Sequence, residues 1–340
     1  FLKNNDYDVD AALWIGDVGI SGINAVAQIL VGDVNPSGSL VDTYCYDNYS
    51  APAMWNFTPS VYDGYVEGGD VPAKGSTYMI YQEGIYVGYK YYETRYEDYV
   101  MGAGNAGDYA YGDIVAYPFG YGLSYTDFKF SDMTVNYNDA LDVYTVAVKV
   151  TNTGAVAGKR TVQLYVQSPY TDYDKQNGVE KAAVALVGFG KTGELAPSTS
   201  EIVTMNVNKR DIASYDTYGA GTYILDAGDY YFTAANDAHE AVNNILAAKG
   251  YTVASTNGKM TADGDADLTY AWTEDKLDTT TYSVSENGTA ITNQLSCADP
   301  NLYDGENNTV TWLSRSDWNG TLPTETVKLA LTEQLKKDLQ

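Results

Sequence analysis

The spacing of hydrophobic positions changes several times along this chain, and each change predicts a different element. Residues 10–16 form a short apolar run of the kind seen in a buried parallel strand. The apolar residues between Ile23 and Leu30 then recur at helical spacing. One strand and one helix make up only the end of an α/β domain. The pattern therefore predicts a remnant of such a domain over residues 1–57.

Strict alternation of apolar and polar residues replaces this spacing after residue 126. Residues 145–150 alternate valine with Thr, Ala and Lys, and the turn Asn152-Thr153-Gly154 interrupts the run. Several short strands separated by Gly, Pro or Asn favour an all-β sandwich of the immunoglobulin type over residues 127–245. The further strand-like segments lie near residues 162–166, 182–189, 201–207 and 221–235.

Three other segments are polar or irregular. Residues 58–126 are rich in Gly and Tyr and predict a connector, whereas residues 246–308 are rich in Thr, Asn and Asp and predict a polar linker. In residues 309–340, apolar side chains recur at helical spacing from Leu322 onward, with Thr324 as a cap. This last segment predicts a terminal helix at the start of a further domain.

The charge balance narrows the classes of partner. The 340 residues carry 45 acidic and 20 basic side chains, a net charge of −25, which argues against nucleic acid and anionic membranes and is compatible with neutral sugars. No apolar run approaches the roughly 20 residues of a membrane helix. Since the chain begins with Phe1 and shows no leader, we expect an internal piece of a longer protein. Its residues leave open whether that protein is exported or stays in a bacterial cytoplasm.

The residue inventory gives no reason to expect a metal or a cofactor. Cys45 and Cys297 lack metal-ligand spacing, and the single His239 is accompanied by no Gly-x-Ser-x-Gly elbow, so we expect a surface histidine with satisfied hydrogen bonds. The glycines after residue 15 do not have dinucleotide-binding spacing. Four acidic residues fit a calcium-loop template, but Leu268 replaces its glycine, so a solvated linker is the preferred interpretation. These four residues are Asp263, Asp265, Asp267 and Glu274.

Two motifs carry a resemblance to a known family. They are Gly-Asp-Val-Asn-Pro-Ser-Gly-Ser-Leu at 32–40 and Tyr-Pro-Phe-Gly-Tyr-Gly-Leu-Ser-Tyr-Thr at 117–126. Together they resemble glycoside hydrolase family 3, the β-glucosidase-like enzymes, over residues 8–245. The resemblance implies an α/β sandwich remnant followed by a fibronectin type III-like domain, in a member whose catalytic barrel comes last. It also implies a retaining parent enzyme that acts on oligosaccharides or β-glucosides without a metal.

Two carboxylates are candidates for the catalytic pair that a retaining glycosidase needs. Ser316-Asp317-Trp318 matches the triplet that carries the family's nucleophile, but no barrel can be built around it, so a structural role for Asp317 is preferred. Glu83 lies in the motif Glu-Gly-Ile-Tyr-Val-Gly-Tyr, where an acid/base role competes with a structural one. We therefore expect the chain alone to be inactive and to buttress the site of its parent.

Two other functions remain open. The first is a non-catalytic carbohydrate-binding or surface-adhesion module built on the β-sandwich. The second is a structural spacer that binds no sugar. The α/β remnant and the motif at 32–40 argue against the first, because a free binding module has no use for part of an enzyme domain.

Overall fold

Two antiparallel sheets face each other at the centre of the fold in the computed structural model, which describes residues 9–303 and 309–339. The first sheet consists of β5 (Phe128–Asn138), β6 (Val143–Asn152) and β9 (Ser200–Asn208), in that order. The second consists of β7 (Thr161–Gln167), β8 (Ala185–Lys191), β12 (Gly228–Ala235) and β13 (Thr269–Glu274). Its strands lie in the order β13-β12-β7-β8. This arrangement confirms the predicted sandwich.

The core between the two sheets follows from the alternation along the strands. Val146, Val148 and Val150 on β6 are fully buried and meet Leu164 and Phe232 of the opposite sheet. Successive side chains of a strand point to opposite faces, so one face of β6 is apolar and the other is polar. Each buried side chain of this size stabilises the fold by about 1.5–3 kcal/mol.

A helical layer covers the outer face of the four-stranded sheet. It consists of α2 (Tyr89–Met101) and α5 (Ala238–Ala248), which pack against Tyr165 of β7 in a second buried cluster. Helix α2 lies in the predicted connector, and α5 begins before the short helix that Asn243–Lys249 suggested. The sequence did not reveal α2 because its buried positions include Glu93, Glu97 and Asp98. Buried charges hide the apolar stripe from which a helix is normally recognised.

Part of the predicted polar linker also belongs to the sandwich. Strand β13 pairs with β12 from Gly228 opposite Glu274 to Thr233 opposite Thr269. Leu268, just before the strand, is buried in the inter-sheet core. No residue of this edge strand is itself buried, so its sequence shows little apolar periodicity and indicated a linker. The limits predicted for the five segments of the chain stay predictions. Residues 1–8, 304–308 and 340, which belong to those segments, lie outside the described residues.

Residues 9–30 contain a helix but no strand. Helix α1 (Gly19–Leu30) confirms the helical spacing, whereas the strand predicted over residues 10–16 is wrong. A parallel strand needs a neighbour to satisfy its backbone, and no described segment pairs with these residues. Helix α1 buries none of its residues, and Ile20 is 98% exposed.

The terminal helix is shorter than its predicted range. Helix α7 spans Glu333–Leu339, and the prediction of a helix that follows the Thr324 cap is wrong over residues 325–332. There the chain runs extended beside the connector, where Ala330 forms a parallel bridge with Asp63. Three backbone N–H groups of this stretch donate hydrogen bonds at 2.9–3.0 Å. Val327 N donates to Asn56 Oδ1, Leu329 N to the Tyr78 hydroxyl and Leu331 N to Asp63 O. We call residues 309–331 the C-terminal strap.

The remaining elements are short. Among the described residues, no helix has the length and apolar character that crossing a membrane requires. The short helices are α3 (Tyr111–Ile114), α4 (Asp172–Asn177) and α6 (Trp318–Thr321). The short strands pair as β1 (Tyr44–Cys45) with β4 (Val115–Tyr117), β2 (Ser60–Val61) with β3 (Thr77–Tyr78), and β10 (Ser214–Asp216) with β11 (Thr222–Ile224).

Candidate functional site

The two sequence motifs meet in space. Asn35, in the motif at 32–40, accepts hydrogen bonds from Ser124 Oγ at 2.9 Å and from Tyr125 N at 2.8 Å. Its Nδ2 donates to Ala157 O at 3.0 Å, in the loop between β6 and β7. One amide therefore joins the first segment, the motif at 117–126 and the sandwich.

Two glycines in the second motif are required by close approach. A Cβ on Gly122 would lie 2.4 Å from Gly38 O, and Gly120 has a φ of +88° with Gln163 against it. Gln163 Nε2 donates to Gly120 O at 3.1 Å. These contacts give the motif at 117–126 a packing role, because its glycines allow the backbone of one segment to touch another.

The C-terminal strap inserts a buried arginine between α2 and the sandwich. Arg315 donates from Nε to Asp98 Oδ2 at 3.2 Å and from Nη2 to Asp98 Oδ1 at 2.5 Å and Glu97 Oε2 at 3.2 Å. Its Nη1 donates to Lys181 O at 3.1 Å. Trp318, fully buried, donates its indole N–H to Asp98 Oδ2 at 2.7 Å. The strap is therefore held by an ion-pair cluster that removes three charged side chains from water.

The pKa values of the two carboxylates in this cluster shift in opposite directions. Burial raises the pKa of Asp98 above its usual value, against the attraction of Arg315. Burial would also raise the pKa of Glu97, but Lys249, at 2.8 Å, and Arg315 outweigh it, so that pKa is lowered. Each carboxylate of this cluster therefore has a cationic partner inside the protein.

A cavity of about 540 Å³ opens beside the cluster. Its walls combine charged groups with the rings of Tyr170 and Tyr231, and Arg315 lies over the Tyr170 ring at 4.9 Å. Polar groups around flat aromatic rings suit a polyhydroxylated ligand. The sequence gives no sign of this cavity, because its lining residues come from α2, β7, β12 and the strap, which are far apart in the chain.

Asp317 caps a helical turn. Its Oδ1 accepts from Gly320 N at 3.1 Å, at the start of α6, and from Asn105 Nδ2 at 2.8 Å. An aspartate at this position satisfies an N–H group that the helix leaves unpaired. The capping contacts favour the structural role for Asp317, and its catalytic role stays an untested hypothesis.

Glu83 is buried near the strap. Burial raises its pKa, and its Oε2 has no hydrogen-bond partner among the described residues. The neighbouring Gln82 donates to Thr311 O at 2.7 Å and accepts from Leu313 N through its backbone at 2.9 Å. No hydrogen bond or ion pair in the described ranges joins Glu83 to Asp317, so the structure offers no paired arrangement of these two candidates.

The acidic residues of the calcium-loop template are engaged by protein groups. Asp263 accepts from Val253 N at 2.7 Å, and Asp265 caps a turn through Asp267 N at 3.0 Å. Glu274 pairs with Lys209 at 2.6 Å. Within the part of the chain that the structure describes, no group of three or more His, Cys, Asp or Glu side chains is placed to hold a metal ion.

Comparison with known proteins agrees with this architecture. Residues 2–89 match the model of the glycosyl hydrolase family 3 C-terminal domain, and residues 160–238 match that of a fibronectin type III-like domain. These matches confirm the resemblance that the two motifs indicated, and with it the mixed fold.

The relatives are much longer than this chain. It is similar to a β-glucosidase of Ruminococcus albus, with 34% identity over 241 residues that cover 70% of the chain and 21% of the relative. It is also similar to β-glucosidase A of Butyrivibrio fibrisolvens, with 36% identity over 248 residues that cover 68% of the chain and 26% of the relative. Among solved structures, a β-glucosidase from Kluyveromyces marxianus in complex with glucose matches with a TM-score of 0.51 and 26% identity, covering 75% of this chain and 23% of that one. The chain thus spans about a fifth to a quarter of these proteins.

Proposed function

Because this chain belongs to glycoside hydrolase family 3 as a β-glucosidase-like segment, we propose that it is the buttressing part of a retaining β-glycosidase. The parent protein hydrolyses terminal β-linked glucosyl or related residues of an oligosaccharide or β-glucoside. A catalytic domain of the parent supplies the nucleophile and the acid/base. The segment described here supplies the rigid support against which that domain is held.

The observation that carries this proposal is the bridge made by Asn35. It ties the part matched to the family's C-terminal domain to the motif at 117–126 and to Ala157, in the loop just before the part matched to the fibronectin type III-like domain. Retaining hydrolysis needs two carboxyl groups about 5–5.5 Å apart, one ionised and one protonated. Asp317 caps the turn of α6, and Glu97 and Asp98 are buried in ion pairs that hold the strap, which supports a buttressing role for the segment.

Hydrolysis of a chromogenic β-glucoside tests the proposal. We expect no turnover by the 340-residue chain and turnover by the full-length parent protein. Asp317→Ala in the parent should lower thermal stability while leaving the KM unchanged. Turnover by the short chain that disappears in Asp317→Ala would show that Asp317 is a nucleophile and would refute the buttressing role.

The cavity beside Arg315 favours oligosaccharide binding as a second candidate function. Tyr170 and Tyr231 line it together with charged groups that could hydrogen-bond to hydroxyls. Calorimetric titration of the chain with gluco-oligosaccharides should then give binding that Tyr231→Ala weakens at least tenfold. Absence of heat at millimolar ligand would eliminate this candidate and leave the buttressing role unaffected.

A further inference from the structure

Outside the sites described so far, Thr261, His239 and Glu93 are hydrogen-bonded in series, as a nucleophile, its base and an orienting carboxylate would be. His239 Nδ1 lies 2.8 Å from Glu93 Oε2, and His239 Nε2 lies 2.7 Å from Thr261 Oγ1. Glu93 comes from α2, His239 from α5, and Thr261 from the loop that follows α5. The histidine is mostly buried, with 14% of its side chain exposed, and not at the surface as the sequence suggested.

The surroundings of Glu93 decide which nitrogen of His239 carries the proton. Glu93 is fully buried, and its Oε1 accepts a hydrogen bond from the hydroxyl of Tyr111 at 2.5 Å. A carboxylate can only accept, so His239 Nδ1 donates to Oε2 and the neutral imidazole has its lone pair on Nε2. That lone pair faces the Thr261 hydroxyl, which therefore donates its proton to Nε2. This is the polarity that a general base needs towards a nucleophile.

The imidazole is fixed in this orientation by two aromatic rings. Tyr111 stacks on it with ring centroids 3.7 Å apart and an angle of 12°, and Tyr96 packs on it at 4.6 Å. Tyr96 OH also accepts from Thr261 N at 2.9 Å, which holds the threonine loop in place. A base that is locked by packing and hydrogen bonds loses little entropy when it takes a proton.

Access and charge stabilisation complete the arrangement. Thr261 is exposed, whereas Glu93 behind it is not. The side-chain amide of Asn243, itself buried, has its Nδ2 3.4 Å from Thr261 Oγ1. An oxyanion on a carbon bonded to Oγ1 would form within reach of this amide, and side-chain amides can stabilise such oxyanions.

We propose that Thr261 is the nucleophile of an acyl-transfer site for small carboxylic esters, with His239 as its base and Glu93 as the positioning residue. Thr261 Oγ attacks the ester carbonyl while its proton moves to His239 Nε2, and Asn243 Nδ2 donates to the oxyanion. The ester C–O bond then breaks, and the leaving alkoxide or phenolate takes that proton. Water attacks the resulting acyl-threonine through the same base, releases the carboxylic acid, and returns the proton to Thr261. No oxidant, metal or cofactor enters the balance, and the site does not depend on the glycosidase proposal.

The first test measures release of p-nitrophenol from p-nitrophenyl acetate by the 340-residue chain. Thr261→Val, which keeps the shape and removes the hydroxyl, should lower the rate at least tenfold, and Thr261→Ser should retain it. The matched control is Thr273→Val, because Thr273 is an exposed threonine whose hydroxyl donates to a carboxylate, Asp229, without a histidine. This control should keep the full rate. Equal rates for Thr261→Val and Thr273→Val would overturn the proposal.

The second test identifies the acylated atom by peptide mass spectrometry after rapid acid quenching. We expect an acetyl group on Thr261 that is lost in His239→Gln, with circular dichroism showing that this variant is folded. An adduct on His239 or on lysines only would overturn the proposal, since the nucleophile would then be another group. If His239→Gln does not fold, Glu93→Gln replaces it and should reduce the adduct without abolishing Thr261 exposure.

Discussion

Replacing Arg315 with methionine tests whether the ion-pair cluster fixes the C-terminal strap. Methionine keeps much of the length of the side chain but removes the charge and four donated hydrogen bonds, three of them to carboxylates. Glu97 retains Lys249 at 2.8 Å and Gln167 at 2.8 Å. Among the described residues, the Asp98 carboxylate retains the indole N–H of Trp318 at 2.7 Å as its one hydrogen-bond donor. The variant therefore leaves one buried carboxylate without a countercharge.

The magnitude follows from that single uncompensated charge. Removing one partner of a buried pair destabilises by about 3–5 kcal/mol, because the remaining charge cannot be resolvated. We expect a loss of this size in the free energy of unfolding, measured in urea at pH 7. The double variant with Asp98→Asn should recover much of it. The penalty should shrink as the pH is lowered, because burial raises the pKa of Asp98 and the carboxylate then takes up a proton.

An exposed ion pair supplies the control for this experiment. Lys149 pairs with Asp132 at 3.3 Å, with 44% and 68% of the two side chains exposed. Lys149→Met should cost no more than about 1 kcal/mol, as surface pairs do. If Arg315→Met costs as little as Lys149→Met, the strap is not held by the cluster and the reasoning is refuted.

Three further variants test other parts of the structure. Asn35→Ala removes three hydrogen bonds and should lower the free energy of unfolding by about 2–3 kcal/mol in urea titrations; a change below about 0.5 kcal/mol would contradict the bridging role. Gly122→Ala places a Cβ against Gly38 O and should cost about 1–3 kcal/mol by the same assay, and an unchanged midpoint would show that the two motifs are not in contact. Burial raises the pKa of Asp226 to about 6, against the attraction of Lys181, so the folded state binds this proton more tightly than the unfolded state does. Stability from this group should therefore fall as pH rises from about 4 to about 6, and Asp226→Asn should flatten that slope in urea midpoints measured across the range; an unaltered slope would assign it to other groups.

The sandwich could be predicted from the sequence because its signal is local. Valines 146, 148 and 150 alternate with polar residues, and this is sufficient to define a strand with one buried face. Helix α2 and strand β13 could not be predicted in this way, because their burial depends on partners far away in the chain. The strand predicted at residues 10–16 fails for the same reason, since the apolar run meets no partner in the described residues.

In the candidate site, too, single residues can be recognised from local motifs, whereas their contacts with distant residues cannot. Asp317 and Glu83 were found by motif, and motif matching does not reveal that Asp317 caps a turn or that Glu83 lies beside the strap. The sequence gives no sign of the role of Arg315, since its partners Glu97 and Asp98 lie 218 and 217 positions away in the chain. The sequence does not reveal the site of Thr261, His239 and Glu93 either, because these three residues come from separate elements.

The path of the C-terminal strap sets an order of events during synthesis on the ribosome. The sandwich can form once β13 has emerged, because all seven of its strands lie before residue 275. The hydrogen bonds that Asp63 and the Tyr78 hydroxyl make to the strap form only when residues 327–331 appear, about 250 residues later. Contacts over such separations close slowly, since loop entropy must be lost before they form. The connector is thus exposed to proteases and chaperones for as long as the intervening chain takes to be translated.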